Sequence, residues 1–265
     1  MRRQPFLVTL AALGLGSIAI AQSPGAVLAP TGTLRAVFLG TNPVHGRVDA
    51  VGTVTGPVPD LVRELARTIG VPSEIRPGAD AAAVIAAIKN HSADIGFLAY
   101  DETRAREVDF GAPFIVMFNS YVVKAGSAIK ASGDVDRPGV KVAAVRGQTQ
   151  ELFVSRTVKQ ATVRVFDTMP PQAEVERLLT SGEVDAFAIN RQRALDAQAA
   201  SSSRLRALPD SFLEVDQCFV VEKGALAKLQ AIDRFVEGVR TSGFIKASIE
   251  RAQLTGVGVA TGPRR

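Results

Sequence analysis

Cysteine, tryptophan, tyrosine and histidine are all scarce in this chain, with 1, 0, 2 and 2 copies among 265 residues. A lone cysteine cannot close an intrachain disulfide, and Cys218 lies in the apolar run Cys218-Phe219-Val220-Val221, which predicts a buried, inert thiol. His45 and His91 are too few for a histidine-rich metal site. No G-x-S-x-G, H-E-x-x-H or phosphate-loop pattern occurs, so neither a serine hydrolase elbow, a zinc protease helix nor a nucleotide cradle is expected. Charge of one sign is also sparse. The formal net charge is +5, and no lysine or arginine cluster stands out, which argues against a nucleic-acid partner. No cofactor is implied.

What is present begins with the first residues. Met1-Arg2-Arg3-Gln4-Pro5 is a basic head, residues 6–21 are nearly all apolar, and Ala19-Ile20-Ala21 is a small-x-small pattern. This is the layout of a cleaved secretory signal over residues 1–21, and the run is short of the ~20 residues that a spanning helix needs. No cysteine follows it, so no lipid anchor is expected. Removing Arg2 and Arg3 lowers the net charge to +3. The expected product is a soluble periplasmic chain starting at Gln22, long enough for two moderate domains.

The mature region alternates strand and helix signals. Residues 22–32, rich in Pro, Gly and Ala, read as a flexible lead-in. Residues 34–39 read as a strand stopped by Gly40-Thr41-Asn42-Pro43, and 46–56 as a loop or short hairpin. A helix follows with Asp60 as its expected N-cap, Leu61, Val62, Leu65 and Ile69 on one face, and Gly70 as its C-cap. Strand 73–76, helix 81–90 capped by Asp80, and strand 95–98 continue the pattern. Strand–helix alternation of this kind implies a parallel, doubly wound α/β sheet. Residues 110–123 are then extended for longer than one small sheet accommodates, and suit a chain passing from one lobe to another. A second set repeats the order: strand 140–145, tight loop 146–148, a helix from Thr149, strand 162–166, helix 171–181, strand 184–189, helix 191–200. Residues 212–221 are extended again, helices cover 226–242 and 244–252, and the tail from Thr255 reads as loose. The two halves echo each other. In each a helix ends, an aspartate (Asp94, Asp185) opens a strand, and a polar loop with arginine follows at the strand's C-terminal edge, where ligands bind in open parallel sheets.

The stretch Asp101-Glu102-Thr103-Arg104-Ala105-Arg106-Glu107-Val108-Asp109-Phe110-Gly111-Ala112-Pro113-Phe114 resembles the T-x-E-R-x-x-x-x-D-F-S-x-P-Y signature of the family 3 bacterial solute-binding proteins, the periplasmic receptors of polar amino-acid ABC importers. Gly56-Pro57-Val58-Pro59-Asp60-Leu61, Val145-Arg146-Gly147-Gln148-Thr149-Gln150-Glu151 and Ser181-Gly182-Glu183-Val184-Asp185-Ala186 resemble three further motifs of that family in the same order. The resemblance runs from Gly32 to about Ala252. It implies a periplasmic-binding-protein type II fold, two doubly wound lobes joined by two crossings with a ligand cleft between. Lobe 1 would be residues 33–119 and 218–255, and lobe 2 residues 120–217. It also implies a monomer that captures a small carboxylate-bearing solute, an amino acid or related organic acid, and meets the membrane permease of an ABC importer.

Arg104 stands five residues before the Asp109-Phe110 pair, where the family places its carboxylate-binding arginine, and a planar guanidinium can meet both carboxylate oxygens at once. Arg106 reads as a surface residue. Gln148, Thr149 and Gln150 lie between a strand and a helix, where unpaired backbone N–H groups attract an anion, and the resemblance implies that this loop meets the same carboxylate. Asn190 stands where the family has its amine-binding aspartate. Ala99 and Tyr100 stand where relatives often offer a hydroxyl. His45 stands near the position of an aromatic lid. A periplasmic enzyme of the same fold, of the cyclic-carboxylate dehydratase type, would need an acid or base from among Asp101, Glu102, His45 and Glu151, which form no evident constellation. A ligand-sensing partner of a membrane receptor is the other alternative.

Overall fold

The computed structural model describes residues 24–262; the expected signal over residues 1–21 lies outside them. A short helix α1 (Pro24–Leu28) stands where a flexible lead-in was expected, with Leu28 and Ala29 buried in the first lobe's core. Strand β1 (Leu34–Leu39) follows, then a hairpin of β2 (Arg47–Val48) and β3 (Val54–Thr55), helix α2 (Pro57–Ile69), β4 (Ser73–Gly78), α3 (Ala81–Lys89) and β5 (Ile95–Ala99). A single 3-10 turn, Arg104–Arg106, leads into the 17-residue strand β6 (Val108–Lys124). The second set is β7 (Lys141–Val145), α4 (Thr149–Thr157), β8 (Thr162–Phe166), α5 (Gln172–Thr180), β9 (Ala186–Asn190), α6 (Arg191–Ala200) and β10 (Leu205–Ala207). The chain returns through β11 (Leu213–Glu222) to α7 (Leu226–Thr241), α8 (Phe244–Arg251) and β12 (Val257–Val259).

The strand order is β4-β1-β5-β11-β6-β9-β7-β8. β1 lies parallel between β4 and β5, and β7 lies parallel between β8 and β9, so each lobe keeps the parallel sheet that strand–helix alternation predicts. β6 and β11 pair antiparallel and join the two sets. β6 is long enough to pair with β11 along residues 108–119 and then with β9 along 119–122. Both faces of each lobe are covered. Phe97, Phe114 and Phe219 cluster in the first lobe at centroid distances of 4.4–5.8 Å, and Phe187 with Leu178, Leu179 and Val184 fills one face of the second.

The echo between halves has a physical basis. The Asp94 carboxylate accepts from the Arg35 amide at 2.9 Å while the Asp94 amide donates back to the Arg35 carbonyl at 2.8 Å. Asp185 does the same with Lys141, both bonds at 2.8 Å. Each aspartate thus clips the start of one strand to its neighbour and sets the register that aims the far ends at the cleft.

Three further details depart from expectation. Helix α2 begins at Pro57 with Gly56 as N-cap, because prolines fit a first turn whose N–H groups have no partner. Asp60 lies within that turn and accepts from Ser248 Oγ and Arg251, tying α8 to α2. The tail is not loose: β12 pairs with β6, Gly258 opposite Val116. Strand β10, whose three residues carry no periodic signal, pairs with the end of β6. As expected, Asp80 caps α3 by accepting from the Ala83 amide at 2.7 Å, Gly70 closes α2 in the left-handed region (φ 73°), and Cys218 is buried. Among the described residues, no helix is long and apolar enough to cross a membrane.

Candidate ligand-binding cleft

The C-terminal ends of β1, β4 and β5 in one lobe face those of β7, β8 and β9 in the other. Between them lies a cavity of about 970 Å³. Its walls take in the loops after these strands, the exposed side of α3, and Met117 on β6.

Arg104 sits in the loop after β5, carried on the 3-10 turn that Asp101 nucleates. The Asp101 carboxylate accepts from the Thr103 amide at 2.8 Å and the Arg104 amide at 3.4 Å. The arginine is 6% exposed and lines the cavity. Its Nη1 donates to the Ala99 carbonyl at 2.9 Å, and its Nη2 crosses the cleft to the Gly147 carbonyl at 2.8 Å. It forms no ion pair with any described carboxylate. Burial pulls its pKa below the ordinary arginine value, and the nearby Asp101 charge only partly offsets this. Arg106, as expected, is exposed.

The opposing wall is the loop between β7 and α4. Gly147 adopts φ 69°, a left-handed conformation that glycine takes without steric cost. Its amide donates to Glu151 Oε2 at 3.1 Å, and extended Gln148 then opens the helix. Thr149 and Gln150 are buried in the first turn, where helical geometry leaves amides without i−4 partners. Gln148, Thr149 and Gln150 all line the cavity. Gln150 is held from behind, its Nε2 donating to Asn119 Oδ1 at 2.6 Å, while Asn119 Nδ2 donates to the Leu213 carbonyl at 3.1 Å. This brace joins α4 to both crossing strands.

Asn190 lines the cavity and is 7% exposed. Its Oδ1 caps α6, accepting from the Arg193 amide at 2.8 Å. Ala99 lines the cavity and orients Arg104 through its carbonyl. The structure thus brings together six of the eight residues that the sequence nominated.

Tyr100 and His45 fall elsewhere. Tyr100 is not part of the cavity wall; its ring meets Phe110 edge-on at 5.2 Å. His45 is fully buried behind the wall, its Nε2 2.7 Å from Gln217 Oε1 on β11 and its Nδ1 without a partner. It is therefore no lid over a ligand. Val44, equally buried, carries the loop into the core of the first lobe and takes His45 with it. Burial, together with the Arg104 charge, pushes the imidazole pKa down to about 4, despite the Gln217 bond.

The four acid–base candidates do not converge. Burial works to raise the Asp101 carboxyl, but the Thr103 and Arg104 amides and the Arg104 charge outweigh it and leave it below the usual carboxylate value. Asp101 also receives Arg156 from the other lobe at 3.3 Å. Glu151 is engaged by Gly147 and Ser155, and Glu102 is exposed outside the cavity wall. Among the described residues, no group of three or more His, Cys, Asp or Glu is placed to hold a metal ion.

Sequence reasoning missed the apolar part of the wall, formed by Leu39, Ile85, Met117, Leu152 and Met169. It also missed the polar braces Asn119 and Gln217. Polar residues interrupting the extended apolar runs 110–123 and 212–221 were the available signal, since buried polar groups in strands require specific partners.

Residues 34–252 match the family model of the bacterial extracellular solute-binding proteins, family 3. The L-cystine-binding protein TcyJ of Escherichia coli (strain K12) is 24% identical over 224 residues, which cover 83% of this chain and 82% of that protein. The ABC transporter glutamine-binding protein GlnH of Bacillus subtilis (strain 168) is 28% identical over 142 residues, 54% of this chain and 50% of that one. Among solved structures, an ancestral arginine-binding protein bound to glutamine superposes with a TM-score of 0.70 at 28% identity, covering 83% of this chain and 97% of that one.

Proposed function

Because the chain belongs to family 3 of the bacterial extracellular solute-binding proteins, we propose that it captures a small carboxylate-bearing solute, an amino acid or related organic acid, and delivers it to the permease of an ABC importer. It works as a soluble periplasmic monomer. Arg104 receives the ligand carboxylate, the first-turn amides and side chains of Thr149 and Gln150 meet it from the other lobe, and Gln148, Asn190 and the Ala99 loop complete the rim.

One observation carries this reading. Arg104 is a nearly buried cation at the cavity wall whose hydrogen bonds go to two main-chain carbonyls, with no carboxylate paired to it. A buried charge with no directly paired carboxylate, offset only in part by the nearby Asp101, is costly, and an anion entering the cavity relieves that cost. The carbonyls belong to different lobes, so a ligand held at Arg104 reports on both. Residues 33–119 with 218–255 and residues 120–217 move as the two bodies, hinged near Phe118-Asn119-Ser120 and Gln217-Cys218-Phe219, where β6 and β11 pass between them. Binding then favours the closed form in proportion to its extra contacts there.

A thermal-shift panel of amino, hydroxy, keto and aromatic acids tests the reading, since a ligand at 100 times its Kd stabilises by about 2.7 kcal/mol. For the acid that responds, Arg104→Ala weakens binding by roughly 100-fold or more in calorimetry, the effect of removing one member of a buried charge pair. The side chain faces a cavity, so the variant folds. Unchanged affinity in the variant removes Arg104 from the site, and an importer role without it loses its main support.

A further inference from the structure

We propose that the ligand of this cleft carries oxygen rather than an ammonium group at the carbon beside its carboxylate: it is a 2-hydroxy or 2-oxo acid. This rests on the proposed role of Arg104 as carboxylate anchor and deepens it. An α-ammonium lies two bonds from the carboxyl carbon, so any partner for it must sit within reach of Arg104. It needs acceptors, preferably anionic, because burying an ammonium with neutral partners alone is costly.

The wall near Arg104 lacks a free anionic acceptor; the side-chain oxygens of Gln148, Thr149 and Gln150 can accept but carry no charge. The carbonyls of Ala99 and Gly147 already receive the guanidinium, and that of Thr41 receives Arg193. Asn190 is neutral, and its oxygen is committed to the α6 amide of Arg193, which leaves its Nδ2, a donor. Asp101 is held by two amides on one oxygen and by Arg156 on the other. The remaining carboxylates of the wall are also engaged: Glu107 with Lys89 at 3.0 Å and Asp167 with Arg146 at 2.8 Å. Asp80 caps α3 after β4, two strands from β5, roughly 10 Å away at ordinary strand spacing. It is beyond an α-substituent and within reach only of a ligand's far end.

What the wall does offer is donors: the arginine fork, the first turn of α4 and the Asn190 amide. A hydroxyl or carbonyl oxygen beside the carboxylate accepts from donors of this kind, and an ammonium cannot. The apolar surface of Leu39, Ile85, Met117, Leu152 and Met169 then suits the body of such an acid.

The test uses matched pairs on purified protein by calorimetry: leucine against 2-hydroxyisocaproate, phenylalanine against phenyllactate, and glutamate against 2-hydroxyglutarate. Wild type is expected to bind the hydroxy member of at least one pair tenfold or more tightly than the amino member. The Asn190→Asp variant is expected to fold, because aspartate caps a helix as well as asparagine, and its second carboxylate oxygen is then available to an ammonium. It should shift the preference toward the amino acid by tenfold or more. Parity, or preference for the amino member in every pair that binds, overturns this inference and leaves the carboxylate site standing. A blank across all six acids overturns this inference, and a blank across the wider thermal-shift panel overturns the carboxylate site as well.

Discussion

Acidification tests how tightly the cleft's scaffold is built, and His45 is the group that should respond first. Its Nε2 sits 2.7 Å from Gln217 Oε1, and Gln217 Nε2 points to the Val215 carbonyl at 3.4 Å. The glutamine therefore presents its oxygen to the ring, so His45 carries its proton on Nε2. Nδ1 is left bare in a buried position with no partner. A second proton there has no acceptor among the described residues, and a guanidinium is near enough to repel it. This is why the imidazole pKa is held down to about 4. The unfolded chain titrates near the ordinary value of about 6.5. A lowered folded pKa means that the unfolded state binds the proton first. Stability contributed by His45 is thus complete above about pH 6.5 and is lost as pH falls toward 4.

The full loss is about 3 kcal/mol, and between pH 7 and pH 4.5 it is roughly 2 kcal/mol. Urea unfolding of ligand-free protein at both pH values measures this directly. The comparison is His45→Gln, which keeps a donor for Gln217 and cannot titrate. Carboxylates contribute equally to both proteins, so they cancel in the difference of slopes. Wild type should lose roughly 2 kcal/mol more than the variant over that interval. Equal losses would show that His45 can protonate in the folded state at little cost, and the argument from its buried, unpartnered Nδ1 would fail.

Two further perturbations address the frame around the cleft. Asp94→Ala removes a carboxylate that is 2% exposed and leaves the Arg35 amide and side chain without it; chemical denaturation should show a loss of about 3 kcal/mol. The equivalent Asp185→Ala, on a more exposed clip, should cost clearly less, and equal costs would contradict the burial argument. Gly256→Ala places a methyl group 2.4 Å from the Gln192 amide nitrogen, a backbone atom that cannot rotate away. The tail must then part from α6, with a loss of about 1–3 kcal/mol as for other overpacked sites. Because that contact ties the tail to the second lobe, small-angle scattering should show a larger radius of gyration in the ligand-free variant, and an unchanged radius together with unchanged stability would remove the tail from the account of closure.

The lobes were legible in the sequence because their determinants are local. Leu61, Val62 and Leu65 recur at helical spacing, Asp80 precedes an apolar run, and Gly70 ends one. The length of the extended runs 110–123 and 212–221 marked where the chain crosses. Arg104 was found by its register with Asp109-Phe110. What was not legible depended on distant partners. Nothing near His45 announces that it will be buried along with Val44 or that its partner will be Gln217, 172 residues away. Tyr100 and Ala99 are adjacent, and only the pairing of β5 with β11 decides which of them meets the cavity. The position of Asn190 was visible, but its role as a cap depended on where α6 begins, a boundary that its own side chain helps to set. The three residues of β12 are too few to show a period, and β6 supplies the order that they lack.

The balance of forces across the cleft follows from these same contacts. Among the described residues four arginine bonds span it: Arg104 to Gly147, Arg156 to Asp101, Arg193 to Thr41 and Arg47 to Asp196. Arg156 and Arg47 are each 60% exposed, and exposed ion pairs contribute about 0–1 kcal/mol. Arg193 ends on a neutral carbonyl. The Gln192 oxygen adds two bonds to the amides of Thr255 and Gly256, at 2.8 and 3.2 Å. Against these stands the desolvation of Arg104, which the nearby Asp101 charge offsets only in part. On the proposed role of Arg104 as carboxylate anchor, an arriving carboxylate supplies the counter-charge that Asp101 provides only in part, and so favours the closed form.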